Sequence, residues 1–224
     1  LTLPAGPMPE FVELVLADQL YVPKAGLPAP LRNALVRLAA FQNPEFYRAQ
    51  AMRLPVYDKP RIICCGEEHA EHIGLPRGCL DEALDLFKAL EVRVKVNDQR
   101  FAGRAIELSF AGQLTPDQQK AGAAMLSHEC GVLSATTAFG KTVLGAWLIA
   151  QRGVNTLVLV HREQLMRQWV ERLAQFLNLN PSQIGRRGGG TKKLGGTVDV
   201  ALLQSVVRKG VVDDMVADYG HLIV

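Results

Sequence analysis

Two rhythms of hydrophobic and polar positions divide this chain, and they predict two kinds of structure. Up to residue 110, short strand-like runs are interleaved with amphipathic stretches. Residues 11–23 (FVELVLADQLYVP) have the β-branched and aromatic content of one or two strands. Residues 29–42 place Leu31, Leu35, Leu38 and Phe41 at helical spacing behind Pro30, and Asn43-Pro44 breaks that helix. A second helical piece follows over 45–53, then a short buried strand over 60–66 (PRIICCG) and a turn over 74–78 (GLPRG). Residues 79–90 form an amphipathic helix with Leu80, Leu84, Phe87 and Leu90 on one side. Residues 91–97 and 104–110 alternate as strands do. The expectation for 1–110 is a small α+β domain behind a loose, Pro-rich start over residues 1–10.

From 111 onward the order becomes helix (116–127), strand (131–134), glycine-containing loop, helix (141–152), strand (156–160), helix (162–177), strand (197–203), helix (205–217) and strand (221–224). Strands that alternate with helices predict a parallel sheet covered on both faces, an α/β fold. One low-complexity stretch, 185–196 (GRRGGGTKKLGG), reads as a basic glycine-rich loop.

Composition narrows the class. Of the 224 residues, 48% are hydrophobic and 21% charged, which provides for a real core and argues against global disorder. The net charge of +3 and pI near 8.7 are compatible with nucleic acid without demanding it. No apolar run reaches the length of a membrane span. The first residues lack the basic and apolar regions of a signal peptide and do not begin with Met, so the chain reads as cut from something longer. Four cysteines without a secretory signal suggest reduced thiols and a cytoplasmic protein.

The chemistry is concentrated in Ala135, Thr136, Thr137, Ala138, Phe139, Gly140, Lys141 and Thr142. This is the phosphate-binding loop pattern, with Ala135 where the pattern has its first glycine. The physics is specific to the spacing. Loop amides and the helix N-terminus converge on phosphates. Gly140 permits close backbone approach, Lys141 reaches the β- and γ-phosphates, and Thr142 offers a hydroxyl to Mg²⁺. ATP and Mg²⁺ are the expected ligands. Upstream, Gln118 at the start of a helix could hydrogen-bond an adenine edge, or be a solvated first-turn residue. His161 and Arg162 follow one strand, and Gln204 and Ser205 another, at the carboxyl ends where open α/β sheets bind ligands. Gln168 and Trp169 lie further along the helix after His161, with Trp169 read as core. Arg186, Arg187, Lys192 and Lys193 could follow a phosphate backbone or form a solvated loop.

Together these residues resemble superfamily-2 helicases of the DEAD/DEAH-box kind. SATTAFGKT resembles motif I, and LTPDQQ resembles the upstream glutamine element of the XPB-like and restriction-enzyme-motor branches. LVLVHREQLMRQW resembles motif Ia, and VDVALLQSVV the strand and turn that follow it. The resemblance covers 112–224 and implies a RecA-like, ATP-binding domain that moves along DNA or RNA. It implies that Gln118 reads adenine, that residues 135–142 bind nucleotide and Mg²⁺, and that His161, Arg162, Gln168, Gln204 and Ser205 lie on the strand-binding face. It also implies an Asp-Glu box directly after Val224, so this polypeptide is expected to bind ATP without turning it over. In the first domain, AAFQNPEFYRAQAMRL and GLPRGCLDEAL resemble the segment before the helicase in TOTE conflict systems, and 79–98 resembles a damage-recognition-like domain.

Cys64, Cys65, His69, His72 and Cys79 have no zinc-ligand spacing and read as buried free cysteines with solvated histidines. Two rival readings stand beside the helicase: another phosphate-loop enzyme, or a nucleic-acid-binding module with a vestigial loop.

Overall fold

The computed structural model describes residues 6–224; residues 1–5, half of the Pro-rich start, lie outside the described residues. The chain divides into two compact units, the first ending at Arg100 and the second running from Phe101 to Val224.

In the first unit, β1 (Phe11–Leu16) and β2 (Leu20–Pro23) form a hairpin, followed by α1 (Ala29–Leu38), β3 (Ala40–Gln42), α2 (Pro44–Ala51), β4 (Ile62–Cys64), β5 (Glu67–Glu68), β6 (His72–Leu75), α3 (Leu80–Ala89) and β7 (Arg93–Asp98). The main sheet has the order β5-β6-β2-β1-β7, with only β1 and β7 parallel. Alternation in β1 buries Val12, Leu14 and Leu16 and turns Phe11 and Glu13 outward, the period of two that a one-sided core imposes. Leu31 and Leu35 of α1 and Phe87 of α3 complete that core.

Several local expectations shift here. The helix predicted over 29–42 stops at Leu38, and residues 40–42 extend to pair with β4. Asn43-Pro44 starts a helix as well as ending one, because the Asn43 side chain accepts from the Glu45 N–H and Pro44 has no N–H to lose. The predicted turn over 74–78 begins as the end of β6, then becomes a 3-10 turn over Arg77–Cys79. The expected buried strand at 60–66 is the largely exposed β4, because among the described residues its only partner strand is β3. Cys64 and Cys65 are accordingly exposed rather than buried. No cluster of metal-ligating side chains occurs among the described residues.

The second unit contains α4 (Pro116–Leu126), α5 (Lys141–Arg152), β8 (Thr156–Val160), α6 (Glu163–Phe176), β9 (Gly185–Gly188), β10 (Thr191–Lys193), β11 (Val198–Leu202), α7 (Leu203–Val206), β12 (Val207–Arg208), β13 (Val211–Val212) and β14 (His221–Ile223). The sheet order is β10-β9-β11-β8-β14, parallel except for the edge strand β10. Every residue of β8 and β11 is buried, as a parallel sheet covered on both faces requires. Residues 101–110, grouped with the first domain by rhythm alone, send Ile106, Leu108 and Phe110 onto this second core. They form no strand, only an isolated bridge between Ala105 and Val154.

The strand predicted over 131–134 is also absent. Val132 is 93% exposed, and no neighbouring strand supplies the hydrogen bonds an extended segment needs. The loop predicted over 185–196 is the hairpin β9–β10, turned at Gly189 and Gly190 with φ of +58° and +82°. Two positive φ values in a two-residue connection are the mirror-image turn that matches strand twist. The helix predicted over 205–217 ends at Val206. The β-branched pairs Val206-Val207 and Val211-Val212 favour strand over helix, and the chain turns at Lys209-Gly210.

Candidate nucleotide and nucleic-acid site

The amino end of α5 organises the second unit's chemistry. Gly140 is its N-cap at φ +84°, a left-handed conformation that costs other residues strain. Ala138, two residues earlier, accepts the same region at φ +65°. The loop is folded around its own lysine, whose Nζ donates to the carbonyls of Ala135 (2.6 Å) and Thr136 (2.8 Å). Thr136, Thr137 and Ala138 are exposed, Phe139 and Gly140 half-buried, and Thr142 is half-buried one residue into the helix after Lys141.

Gln118 is neither solvated nor free to turn. It is buried at 7% exposure, and its amide bridges two elements. Its Oε1 accepts from the Thr115 N–H at 2.9 Å, while the Thr115 hydroxyl accepts from the Gln118 N–H, a capping box that fixes the start of α4. Its Nε2 donates to the Phe139 carbonyl at 2.7 Å, tying α4 to the loop. The Thr115 role escaped sequence reading although its signal, Thr-x-x-Gln before a helix, was present. Beside α4 and α5 lies a cleft of about 520 Å³, bounded by Phe110, Gln113, Gln119 and Trp147.

The carboxyl edge of the sheet carries the remaining residues. His161 and Arg162 follow β8 and are exposed; Arg162 is the N-cap of α6. Gln204 Nε2 reaches the His161 carbonyl at 3.4 Å, so the ends of β8 and β11 meet. Gln168 is exposed on α6, and Trp169 packs in the core beside Gly145, as expected. In the hairpin, Lys192 and Lys193 are exposed and Arg186 is half-buried. Arg187 differs: its guanidinium pairs with the Asp213 carboxylate and donates from Nε to the Ser205 carbonyl at 3.2 Å. That guanidinium holds the Asp213 carboxyl below the usual carboxylate range, helped by the Met215 N–H. The Ser205 hydroxyl lies 3.0 Å from the Arg187 carbonyl and 2.7 Å from that of Leu202. Arg187 and Ser205 therefore hold the hairpin to the sheet, while Lys192 and Lys193 are exposed and Arg186 is half-buried.

The opposite edge is tied by two buried polar residues that sequence reading missed. Asn155 accepts at Oδ1 from the N–H groups of Arg104 and Gly220, and donates from Nδ2 to the carbonyls of Gly196 and Asp218. Asp199 accepts from the N–H groups of Gly195 and Gly196 and from the Tyr219 hydroxyl. Burial, then the bond to Asp199, raise the Tyr219 pKa. A polar residue inside an apolar strand was the signal available.

These features define a RecA-like α/β domain whose loop before α5 carries the sequence pattern of a phosphate-binding loop. The family described as "Type III restriction enzyme, res subunit" matches residues 106–215. The structure is similar to that of the UvsW helicase from bacteriophage T4, at a TM-score of 0.59 and 15% identity, over 87% of this chain and 76% of that one. A second UvsW structure from the same phage gives a TM-score of 0.58 at 16% identity, over 88% of this chain and 44% of that one. No curated protein matches the chain. The family match falls within the second unit, and the likeness to UvsW is one of fold. Among the described residues no helix is long and apolar enough to cross a membrane.

Proposed function

We propose that the second unit grips ATP in a helicase or translocase motor that acts on DNA. The observation that carries the reading is the loop at the amino end of α5, folded around Lys141 with Gly140 in the left-handed region. An ammonium group resting on two neutral carbonyls exchanges them readily for phosphate oxygens, which are charged acceptors and bind it more strongly. The N–H groups of the first turn of α5 and its dipole add to that pull. Thr142 would hold Mg²⁺ through its hydroxyl, and the metal would neutralise charge between the β- and γ-phosphates. Gln118 has one N–H and one lone pair left after its bonds to Phe139 and Thr115, the pair of groups that reads an adenine edge.

On the same reading, His161, Arg162, Gln168 and Gln204 meet the nucleic-acid strand, with Arg186, Lys192 and Lys193 along its phosphates. Arg187 and Ser205 act by positioning the hairpin. The elements LTPDQQ and HREQLMRQW support the XPB-like, DEAD/DEAH-box branch, and the first unit's sequence supports a TOTE-type setting with a damage-recognition-like role for that unit. The four free cysteines support a cytoplasmic protein.

Titration of a fluorescent ATP analogue with Mg²⁺ tests the proposal. The parent should bind, Lys141→Ala should lose at least about tenfold in affinity, the worth of one charge-assisted contact, and Thr142→Ala should lose its Mg²⁺ dependence. A parent that ignores the analogue but binds DNA in a salt-dependent way would instead be a nucleic-acid-binding module with a vestigial loop.

A further inference from the structure

The six residues Val207–Val212 have no part in the reading so far. Among the described residues the strands β12 and β13 pair only with each other, Val207 against Val212 and Arg208 against Val211. Lys209 and Gly210 connect them with φ of +52° and +79°, the same mirror-image turn as in the larger hairpin. Three valines in six residues are turned to solvent: Val207 is 40% exposed, Val211 69% and Val212 53%. A two-stranded hairpin this short has no stability of its own in water. Here its base is fixed to the domain. The Asp213 N–H donates to the Val206 carbonyl at 2.8 Å, and the Asp213 carboxylate is held by Arg187 of β9. Asp213 Oδ1 also accepts from the Met215 N–H, turning the chain away into the 3-10 turn over Asp214–Asp218. Because β12 leaves directly after α7 and β11, the hairpin springs from the carboxyl edge of the sheet that carries Gln204 and His161.

Its chemistry points to one partner. Arg208 and Lys209 stand side by side at the tip, and among the described residues neither side chain makes a hydrogen bond or an ion pair. No acidic residue occurs between Val207 and Val212, and Asp213 at the base is already neutralised by Arg187. Adjacent cations with exposed apolar side chains fit a polymer that is anionic along its backbone and apolar on the faces of its units. Single-stranded nucleic acid has this character; a duplex hides its base faces in the stack. We propose that the β12–β13 hairpin is a tongue that contacts single-stranded nucleic acid. Arg208 and Lys209 take phosphates, and the valines pack against sugars and unstacked bases. The proposal rests on the reading of the carboxyl edge as a strand-binding face.

The test measures binding of a fluorescein-labelled oligothymidylate to the full chain by anisotropy across a salt series. Each phosphate contact on a single strand contributes about 0.7 to the slope of log affinity against log salt. The variant Arg208→Ala/Lys209→Ala should therefore lower the slope by about 1.4. Val211→Ser/Val212→Ser should weaken binding by about tenfold with the slope unchanged, since it removes apolar contact and no charge. A duplex of the same length should be indifferent to the valine substitutions. Trp147 and Trp169 fluorescence checks that both variants stay folded. If the parent binds and both variants match it in slope and affinity, the tongue is wrong while the strand-binding edge survives. A parent that does not bind at all would remove the edge and the tongue together.

Discussion

Asp199 offers the sharpest energetic test of this fold. Its carboxylate is wholly buried in β11, the middle strand of the five-stranded sheet, yet it is not isolated. It accepts from Gly195 N at 2.9 Å, Gly196 N at 2.6 Å and the Tyr219 hydroxyl. It thus joins the turn that enters β11 to the segment that enters β14. It also fills the space at Gly185, where an added Cβ would lie 1.9 Å from Asp199 Oδ1. Asp199→Ala would leave three donors without their acceptor, and because Gly195 is exposed and Gly196 and Tyr219 are half-buried each costs only about 1 kcal/mol. Removing the buried charge returns part of that, so the expected loss is roughly 2–3 kcal/mol. A domain is stable by only about 5–15 kcal/mol, so this is a large share. Tyr219→Phe removes one donor and leaves two, and should cost about 1–2 kcal/mol. The double variant should cost no more than Asp199→Ala alone, because the orphaned hydroxyl is gone too. Urea unfolding read by tryptophan fluorescence isolates the right unit, since both tryptophans, Trp147 and Trp169, lie in the second. An Asp199→Ala loss below about 1 kcal/mol, or full additivity with Tyr219→Phe, would refute the account.

Three further outcomes follow from the same geometry. Gly145→Ala should destabilise the second unit by roughly 1–3 kcal/mol despite alanine's better helix propensity, because the new Cβ would lie 2.6 Å from the Trp169 ring; a raised thermal midpoint would count against the packing described. Burial, and secondarily Arg152, lower the His221 pKa from 6.5 to about 4. The folded state then binds fewer protons than the unfolded one below pH 6.5, so this contribution is complete above that pH and falls by about 2 kcal/mol on acidification to pH 5. A His221→Asn variant should lack that slope, and an identical slope in both proteins would assign it elsewhere. Gln118→Ala cuts the bridge from Thr115 to Phe139 and should weaken nucleotide binding several-fold while costing about 1–2 kcal/mol of stability; unchanged affinity for the ATP analogue would detach Gln118 from the site.

Local signals were enough to read the helices α3, α5 and α6 and the strands β8 and β11, because each carries a full amphipathic or apolar period within its own length. The position of the loop at the amino end of α5 was legible for the same reason: Gly140, Lys141 and Thr142 need only one another and the helix that follows. Segments whose state depends on a neighbour were not legible. Residues 131–134 have strand character but no strand to pair with, and residues 185–193 have loop composition but a partner in β11. The valine pairs around Lys209-Gly210 could serve a helix or a hairpin, and the turn at Gly210 decided it. The same limit governs the side chains. Sequence alone marked Arg187 and Ser205 as candidate nucleic-acid contacts, and only the folded sheet brought Asp213 to Arg187 and gave both a place in holding the hairpin. Gln118, Asn155 and Asp199 follow the same rule, since a buried polar group is defined by the partners that desolvate it, and those partners lie up to 65 residues away along the chain.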